Sequence, residues 1–379
     1  MKILIIRCYP SYMDILHNTY NIQEIGLAKA LVRQGHECGI VFWGDEDKDY
    51  RLELDEKLGI TIYYRKGKSV LKNAIYPKLD KLIEKYDIIQ PAEYNQIESL
   101  RLAKKYPNKT IIYHGPYYCD FNVRYNAMCK VFDALFLKEY KKRNTAFIAK
   151  SRLAKKFLNG KGLNNVKTVG VGVDLDALTP GLKYSEPEFI TSVKETEADI
   201  KLLYIGRFEE RRNIPFIYET AKKLRDSGLN IKLITIGTGD GDYTDMCRQK
   251  AKELGISDMI LHTDTMEQKY LSTLYRACDY FLLPTHYEIF GMVLLEAMYY
   301  SLPVLTTENG GSDMLIENSV DGFKLSLDSD LWARTVIELN GDKDRYNSVC
   351  ENAHKKINDF TWDKLSGQFI NAYKSVLKE

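Results

Sequence analysis

Pro284-Thr285-His286-Tyr287-Glu288-Ile289-Phe290-Gly291-Met292-Val293-Leu294-Leu295-Glu296-Ala297-Met298 is the stretch whose reading decides the fold. The apolar run Tyr280-Phe281-Leu282-Leu283 before it reads as a buried parallel strand, and Met292 to Tyr300 reads as the helix that follows. Glu288 then falls on the connecting loop and Glu296 inside the helix. In an open α/β sheet, ligands bind outside the carboxyl ends of the strands, where the first N–H groups of the next helix lack partners. Phe290, Gly291 and Met292 are placed to offer such N–H groups to ligand oxygens. Gly291 carries no side chain to block the approach, and two ionised glutamates accept hydrogen bonds from neighbouring hydroxyls. The pattern suits a polyol better than a metal ion.

These residues resemble a known family. The form E-x-F-G-x-x-x-x-E-A-M, carried by Glu288 to Met298, is similar to that of family 4 retaining glycosyltransferases of the GT-B fold, the glycosyl transferases group 1. The resemblance extends backward through Ala277 to Pro284 and forward to Gly310-Gly311 and Asn318-Ser319-Val320-Asp321-Gly322. Upstream, Tyr204-Ile205-Gly206-Arg207-Phe208-Glu209-Glu210-Arg211-Arg212-Asn213 resembles the family's G-R-x-x-x-x-K-G segment, and Ile236-Gly237-Thr238-Gly239 its next strand end. The resemblance implies an α/β chain of two Rossmann-like, doubly wound parallel-sheet domains facing a cleft. It implies a nucleoside diphosphate sugar as donor, its diphosphate held at Gly206, Arg207 and Arg212. Gly237, Ile289, Phe290, Gly291 and Met292 would complete the donor site. Glu296 would take the ribose hydroxyls, Glu288 the transferred sugar, and His114, after Ile111-Ile112-Tyr113, would lie beside that sugar. His114, Arg207, Arg212 and Glu288 are the expected catalytic residues. Retention of anomeric configuration without a metal, by front-face attack, comes with the same resemblance.

Four departures bear on this. Arg212 stands where the family has Lys, a sound exchange because guanidinium binds phosphate oxygens bidentately. Asn213 replaces the glycine that usually follows, and Asp240 replaces a proline. After the first strand, Arg7-Cys8-Tyr9-Pro10-Ser11-Tyr12-Met13-Asp14 stands in place of a Gly-Gly loop. Arg211 reads as a solvated charge.

The 379 residues suffice for two domains. Strand and helix patterns alternate from Ile3, with Ile22 to Arg33 an amphipathic helix closed by Gly35, and Ser151 placed to cap a helix beginning at Arg152. Pattern breaks divide the chain into residues 1–180, a linker at 181–199, and 200–359, which the resemblance makes an N-terminal acceptor domain and a donor domain. Residues 360–379 form a helix expected to return toward the first domain.

Seven cysteines without a CxxC pair suit a reducing, cytoplasmic setting. The opening apolar run is too short for a signal-peptide core and reads as a strand, and no run approaches the ~20 apolar residues of a membrane span. The net charge of +2 conceals 31 Lys+Arg against 20 Asp+Glu in residues 1–183, and 23 against 32 thereafter. A basic first half fits either a solvated face or attraction to an anionic membrane, making the chain a peripheral protein. Nucleic acid is not expected, because no binding motif accompanies the charge.

No G-x-G-x-x-G follows the first strand, and P-loop, H-E-x-x-H and clustered His/Cys spacings are absent, so no cofactor or metal is expected. The reading is a hexosyltransferase acting on an acceptor glycan or lipid-linked glycan of the cell envelope. Its alternatives are a sugar-nucleotide 2-epimerase on the same architecture and a degenerate, non-catalytic subunit.

Overall fold

The computed structural model describes residues 1–15, 22–178 and 186–377. The chain forms two compact units, Met1–Val173 with Thr361–Glu379, and Asp174–Phe360.

In the first unit, parallel strands run in the order Gly59–Arg65, Glu37–Trp43, Lys2–Ile6, Ile88–Pro91. Single parallel bridges, Ile89 to Thr110 and Ala92 to Tyr113, join these to Ile111–His114, Ala146–Ala149 and Val166–Thr168. The first strand is therefore central, with chain order running outward on both sides, and the reversal of order lies between Lys2–Ile6 and Ile88–Pro91. Every residue of Ile88–Pro91, Ile111–His114 and Ala146–Ala149 is buried, as strands covered on both faces require. Helix Gln23–Arg33 and the last helix, Trp362–Leu377, pack together; Tyr373 donates from within this unit to Gln90 at 2.7 Å. Ser151 caps Arg152–Gly160 through its side chain, accepting from the Ala154 N–H.

The second unit carries a six-stranded parallel sheet in the order Ile260–Thr263, Ile231–Ile236, Ile200–Ile205, Tyr280–Leu283, Val304–Thr306, Phe323–Lys324. In chain order this is 3-2-1-4-5-6, the doubly wound order, with its switch point between Ile200–Ile205 and Tyr280–Leu283. Helices Ile214–Asp226, Gly241–Glu253, Gln268–Arg276 and Met292–Tyr299 follow the first four strands in turn.

Two expectations are corrected. Of the supposed linker, 181–185 lie outside the described residues, but Glu188–Glu195 is a helix of the second unit, docked through buried Ile190 and Val193. Two apolar residues at i and i+3 are enough to seat a short helix when a neighbour covers them. Lys48–Glu53, unassigned from sequence, adds an antiparallel edge strand to Gly59–Arg65; its charged and largely exposed residues carry no core signal.

Candidate functional site

At the switch point of the second unit, strand Ile200–Ile205 delivers Gly206-Arg207 and strand Tyr280–Leu283 delivers the loop from Thr285 to Gly291. Arg207 is exposed, and among the described residues its guanidinium makes no ion pair or hydrogen bond; its carbonyl accepts from the buried Tyr204 hydroxyl at 2.8 Å. That fixes the backbone while leaving the charge open.

Arg211 and Arg212 close on Glu288 instead. Arg212 Nη1 lies 2.5 Å and Arg211 Nη1 3.3 Å from Glu288 Oε2. The Arg211 side chain also donates to the Tyr287 carbonyl at 2.9 Å, while its own carbonyl accepts from the His286 N–H and the Thr285 hydroxyl. Arg211 is thus a structural partner of the loop rather than a solvated charge, which corrects the sequence reading. Its signal was present only as one more basic residue in a run of two. Burial works to raise the Glu288 carboxyl, but Arg212 and Arg211 outweigh it and hold the group below the usual carboxylate range.

Glu288 also accepts from its own loop: the Ile289 N–H at 2.9 Å and the Phe290 N–H at 3.4 Å reach its Oε1. The Phe290 donor expected for a ligand, and the Ile289 N–H beside it, are therefore engaged internally. Gly291 (φ 76°) and Met292 remain at the start of the helix.

Behind the loop, Gly310 and Gly311 open a six-residue helix held by an Asn309–Ser312 capping box. A Cβ on Gly311 would lie 1.6 Å from the Phe290 carbonyl oxygen, and one on Gly310 2.0 Å from that of Ile289. The Gly310 N–H donates to the Glu288 carbonyl at 3.0 Å. Two glycines thus let a helix start press directly on the Glu288 loop. Gly237 has the same explanation: at φ 140°, a Cβ would meet the Gly206 carbonyl oxygen at 1.9 Å, so its missing side chain serves the contact between two strand ends.

Glu296 sits one helix turn deeper and has a different environment. The Tyr275 hydroxyl donates to one oxygen at 2.9 Å and Gln268 to the other at 3.3 Å. No ion pair reaches it among the described residues, and burial pushes its carboxyl up to about 7.

Two departures find physical reasons. Asn213 adopts φ 54°, ψ 50°, the left-handed conformation that Asn, after Gly, tolerates best. Asp240, at φ −62°, holds the angle a proline would impose.

In the first unit, His114 ends strand Ile111–His114 and is fully buried, unlike a side chain open to a sugar. Its Nδ1 lies 2.8 Å from Glu93 Oε2, its ring stacks on Phe157, and its Nε2 is buried without a hydrogen-bond partner. Glu93, at φ 63°, also accepts the Gly115 N–H at 2.9 Å and faces Lys150 Nζ at 3.4 Å. Burial would raise its carboxyl, yet Lys150, His114 and the Gly115 N–H together hold it below the ordinary range. Sequence reasoning missed Glu93 and Lys150, because residues 93, 114 and 150 meet only when three strands align. The loop after the first strand folds without glycines: Arg7 pairs with Glu24 at 3.1 Å, Cys8 is buried, and exposed Tyr12 stacks on Tyr64.

Among the described residues, no group of three or more His, Cys, Asp or Glu could hold a metal ion.

Comparison with known proteins now adds to this geometry. Residues 185–356, nearly the whole second unit, match the family model described as glycosyl transferases group 1. Over those residues the chain carries that family's domain. An uncharacterized glycosyltransferase of Methanocaldococcus jannaschii is 24% identical over 382 residues, covering 93% of each chain. Among solved structures, sucrose-phosphate synthase from Thermosynechococcus elongatus superposes with a TM-score of 0.74 at 17% identity, covering 100% of this chain and 99% of its own. HepE from Anabaena, in complex with UDP and glucose, gives 0.68 at 15% identity, covering 99% and 100%. The chain accordingly has the GT-B fold, with one Rossmann-like sheet in each unit.

Proposed function

We propose that this group 1 glycosyltransferase moves a hexose-type sugar from a nucleoside diphosphate donor to an acceptor hydroxyl with retention of configuration and without a metal ion. The observation that carries the reading is the convergence of Arg207, Arg211, Arg212 and Glu288 outside the two central strands of the second unit's sheet. As the glycosidic bond breaks, negative charge collects on the leaving diphosphate. Arg207, open and uncommitted, meets it directly; each guanidinium carries five N–H donors, so Arg212 can hold Glu288 and a phosphate oxygen together. Glu288, kept ionised by its arginines, accepts from sugar hydroxyls, and Glu296 retains lone pairs for the ribose. The leaving phosphate takes the proton from the incoming acceptor hydroxyl on the same face.

The acceptor in this reading is a cell-envelope glycan or lipid-linked glycan, and the protein a cytoplasmic one that works peripherally at the membrane. The basic first half supports that setting; among the described residues, no helix is long and apolar enough to cross a bilayer.

The test is a panel of UDP-, GDP-, ADP- and dTDP-sugars scored for thermal stabilisation in EDTA, with UDP-sugars first because HepE was solved with UDP. Selective stabilisation by one donor, lost in Arg207→Ala, supports the reading. Isomerisation of the donor sugar without net nucleotide release would favour the epimerase. No stabilisation by any donor would favour the non-catalytic subunit.

A further inference from the structure

Helix Val123–Lys142 lies on the first unit with Cys129, Phe132 and Tyr140 buried. Its opposite face breaks the usual amphipathic rule. Val123 is 69%, Met128 47%, Val131 63% and Leu135 57% exposed. Ala127 and Ala134 are exposed between them. At 100° per residue these six fall within one sector, and the run from Val123 to Leu135 covers about 18 Å of helix. Scattered apolar residues on a surface need no explanation, but a continuous stripe along three turns marks a contact surface.

The charges around the stripe say what it contacts. Arg124 and Lys130 lie within and beside it, and Lys138, Lys141 and Lys142 extend the same face; all five are exposed. From Tyr118 to Lys161 the sequence has eleven basic residues against three acidic. Of those acids, Asp133 is paired with the buried Lys161, and Glu139 with Arg143 at 2.8 Å, so neither neutralises the stripe's lysines. A protein partner would need a matching apolar groove rimmed with acid. A bilayer with anionic headgroups supplies both features without any shape requirement, and an amphipathic helix lying in its plane buries such a stripe at the headgroup boundary.

We propose that the exposed face of Val123–Lys142 seats the first unit on an anionic lipid surface, with Val123, Met128, Val131 and Leu135 entering the boundary and the flanking lysines meeting headgroup phosphates. The proposal gives the peripheral-membrane part of the functional reading a defined surface. It does not depend on the donor chemistry, since vesicle binding is measured without donor.

The experiment is co-sedimentation of the full chain with vesicles of equal phosphatidylglycerol and phosphatidylcholine, against phosphatidylcholine alone. Binding is expected to the anionic vesicles, weakening with salt. Val131→Glu with Leu135→Glu should weaken it at least about tenfold, from the burial free energy of two aliphatic side chains. Lys138→Glu with Lys142→Glu should weaken it at least about thirtyfold, the loss of two headgroup-facing charges. Since all four positions are exposed, melting temperature and turnover of a water-soluble acceptor should not change, which separates loss of docking from loss of folding or activity. Equal sedimentation with both vesicle types, or undiminished binding by the Val131/Leu135 variant, would overturn the proposal. So would a dimer in solution that this variant dissociates, without vesicle binding, which would assign the stripe to a second copy of the chain.

Discussion

Glu93 in the first unit and Glu288 in the second hold corresponding places. Each follows the strand just across the switch point from the first strand of its sheet, is buried, and accepts a backbone N–H, Glu93 from the neighbouring loop and Glu288 from its own. They differ in their cations. Glu288 faces two guanidiniums, Arg211 29% and Arg212 12% exposed. Glu93 faces one ammonium and an imidazole, Lys150 13% exposed and His114 sealed. A buried carboxylate needs compensation in either place. Planar, multidentate guanidiniums leave donors over for a ligand, whereas Lys150 and the Nδ1 of His114 are taken up in holding Glu93. The first arrangement reads as a binding site and the second as a scaffold for a strand end.

The largest effect should come from removing the buried carboxylate where its partners cannot relax. Glu93→Gln leaves Lys150 uncompensated and should lower the unfolding free energy by about 3–5 kcal/mol in urea titration. Glu288→Gln should cost clearly less stability, because Arg211, 29% exposed, can turn to solvent, while lowering turnover strongly. Equal losses of stability would erase the distinction.

Next in size, Arg207→Ala and Arg212→Ala should each reduce turnover about 100- to 1000-fold, the loss of one charge stabiliser at a leaving group. Arg211→Ala, which removes a loop contact, should cost closer to about tenfold. Steady-state rates decide the ranking, and an Arg211 variant as impaired as Arg212→Ala would place both on the donor.

A third prediction sets Glu296 against both paired carboxylates. Depressed carboxyls such as Glu288 and Glu93 contribute stability that is present above the unfolded carboxylate range and lost as pH falls through their folded values. Glu296, raised to about 7, has the opposite sign. Below the unfolded range the favourable protonated form is fully realised, and the contribution is lost as pH rises through about 7. The difference in stability between wild type and Glu296→Gln should therefore fall with pH between about 4.5 and 7, at up to about 1.4 kcal/mol per pH unit. A flat difference would mean that Glu296 is ionised like the other two. The smallest effect belongs to Asn213→Gly, expected within about 0.5 kcal/mol because both residues accept the left-handed conformation. A large loss on melting would show that the Asn side chain itself is needed.

The parallel cores were legible because Tyr280–Leu283 is an unbroken apolar run ended by proline, and Ile231–Ile236 is apolar but for Lys232 and Thr235 and is ended by glycine. The cluster of Glu288 with Arg211 and Arg212 was within reach because its acid and its bases lie in two short segments. Arg211 was misread since a sequence cannot say that two adjacent arginines both turn onto the same loop. The triad of Glu93, His114 and Lys150 was out of reach for a different reason: its members are brought together by strand register, which no local pattern encodes. The edge strand Lys48–Glu53 and the helix Glu188–Glu195 were missed where exposure or brevity left too few apolar positions to show a period.

The pressing of Gly310 and Gly311 onto the carbonyls of Ile289 and Phe290 makes two distant segments a single heritable unit. Any attempt to redirect this enzyme by randomising residues 288–292 varies one face of a contact whose other face is twenty residues away. A library that holds the two glycines constant explores only loops of the present thickness. A loop drawn back from that helix start would need side chains at 310 and 311 to fill the gap, so new donor preferences are best sought by varying both segments together.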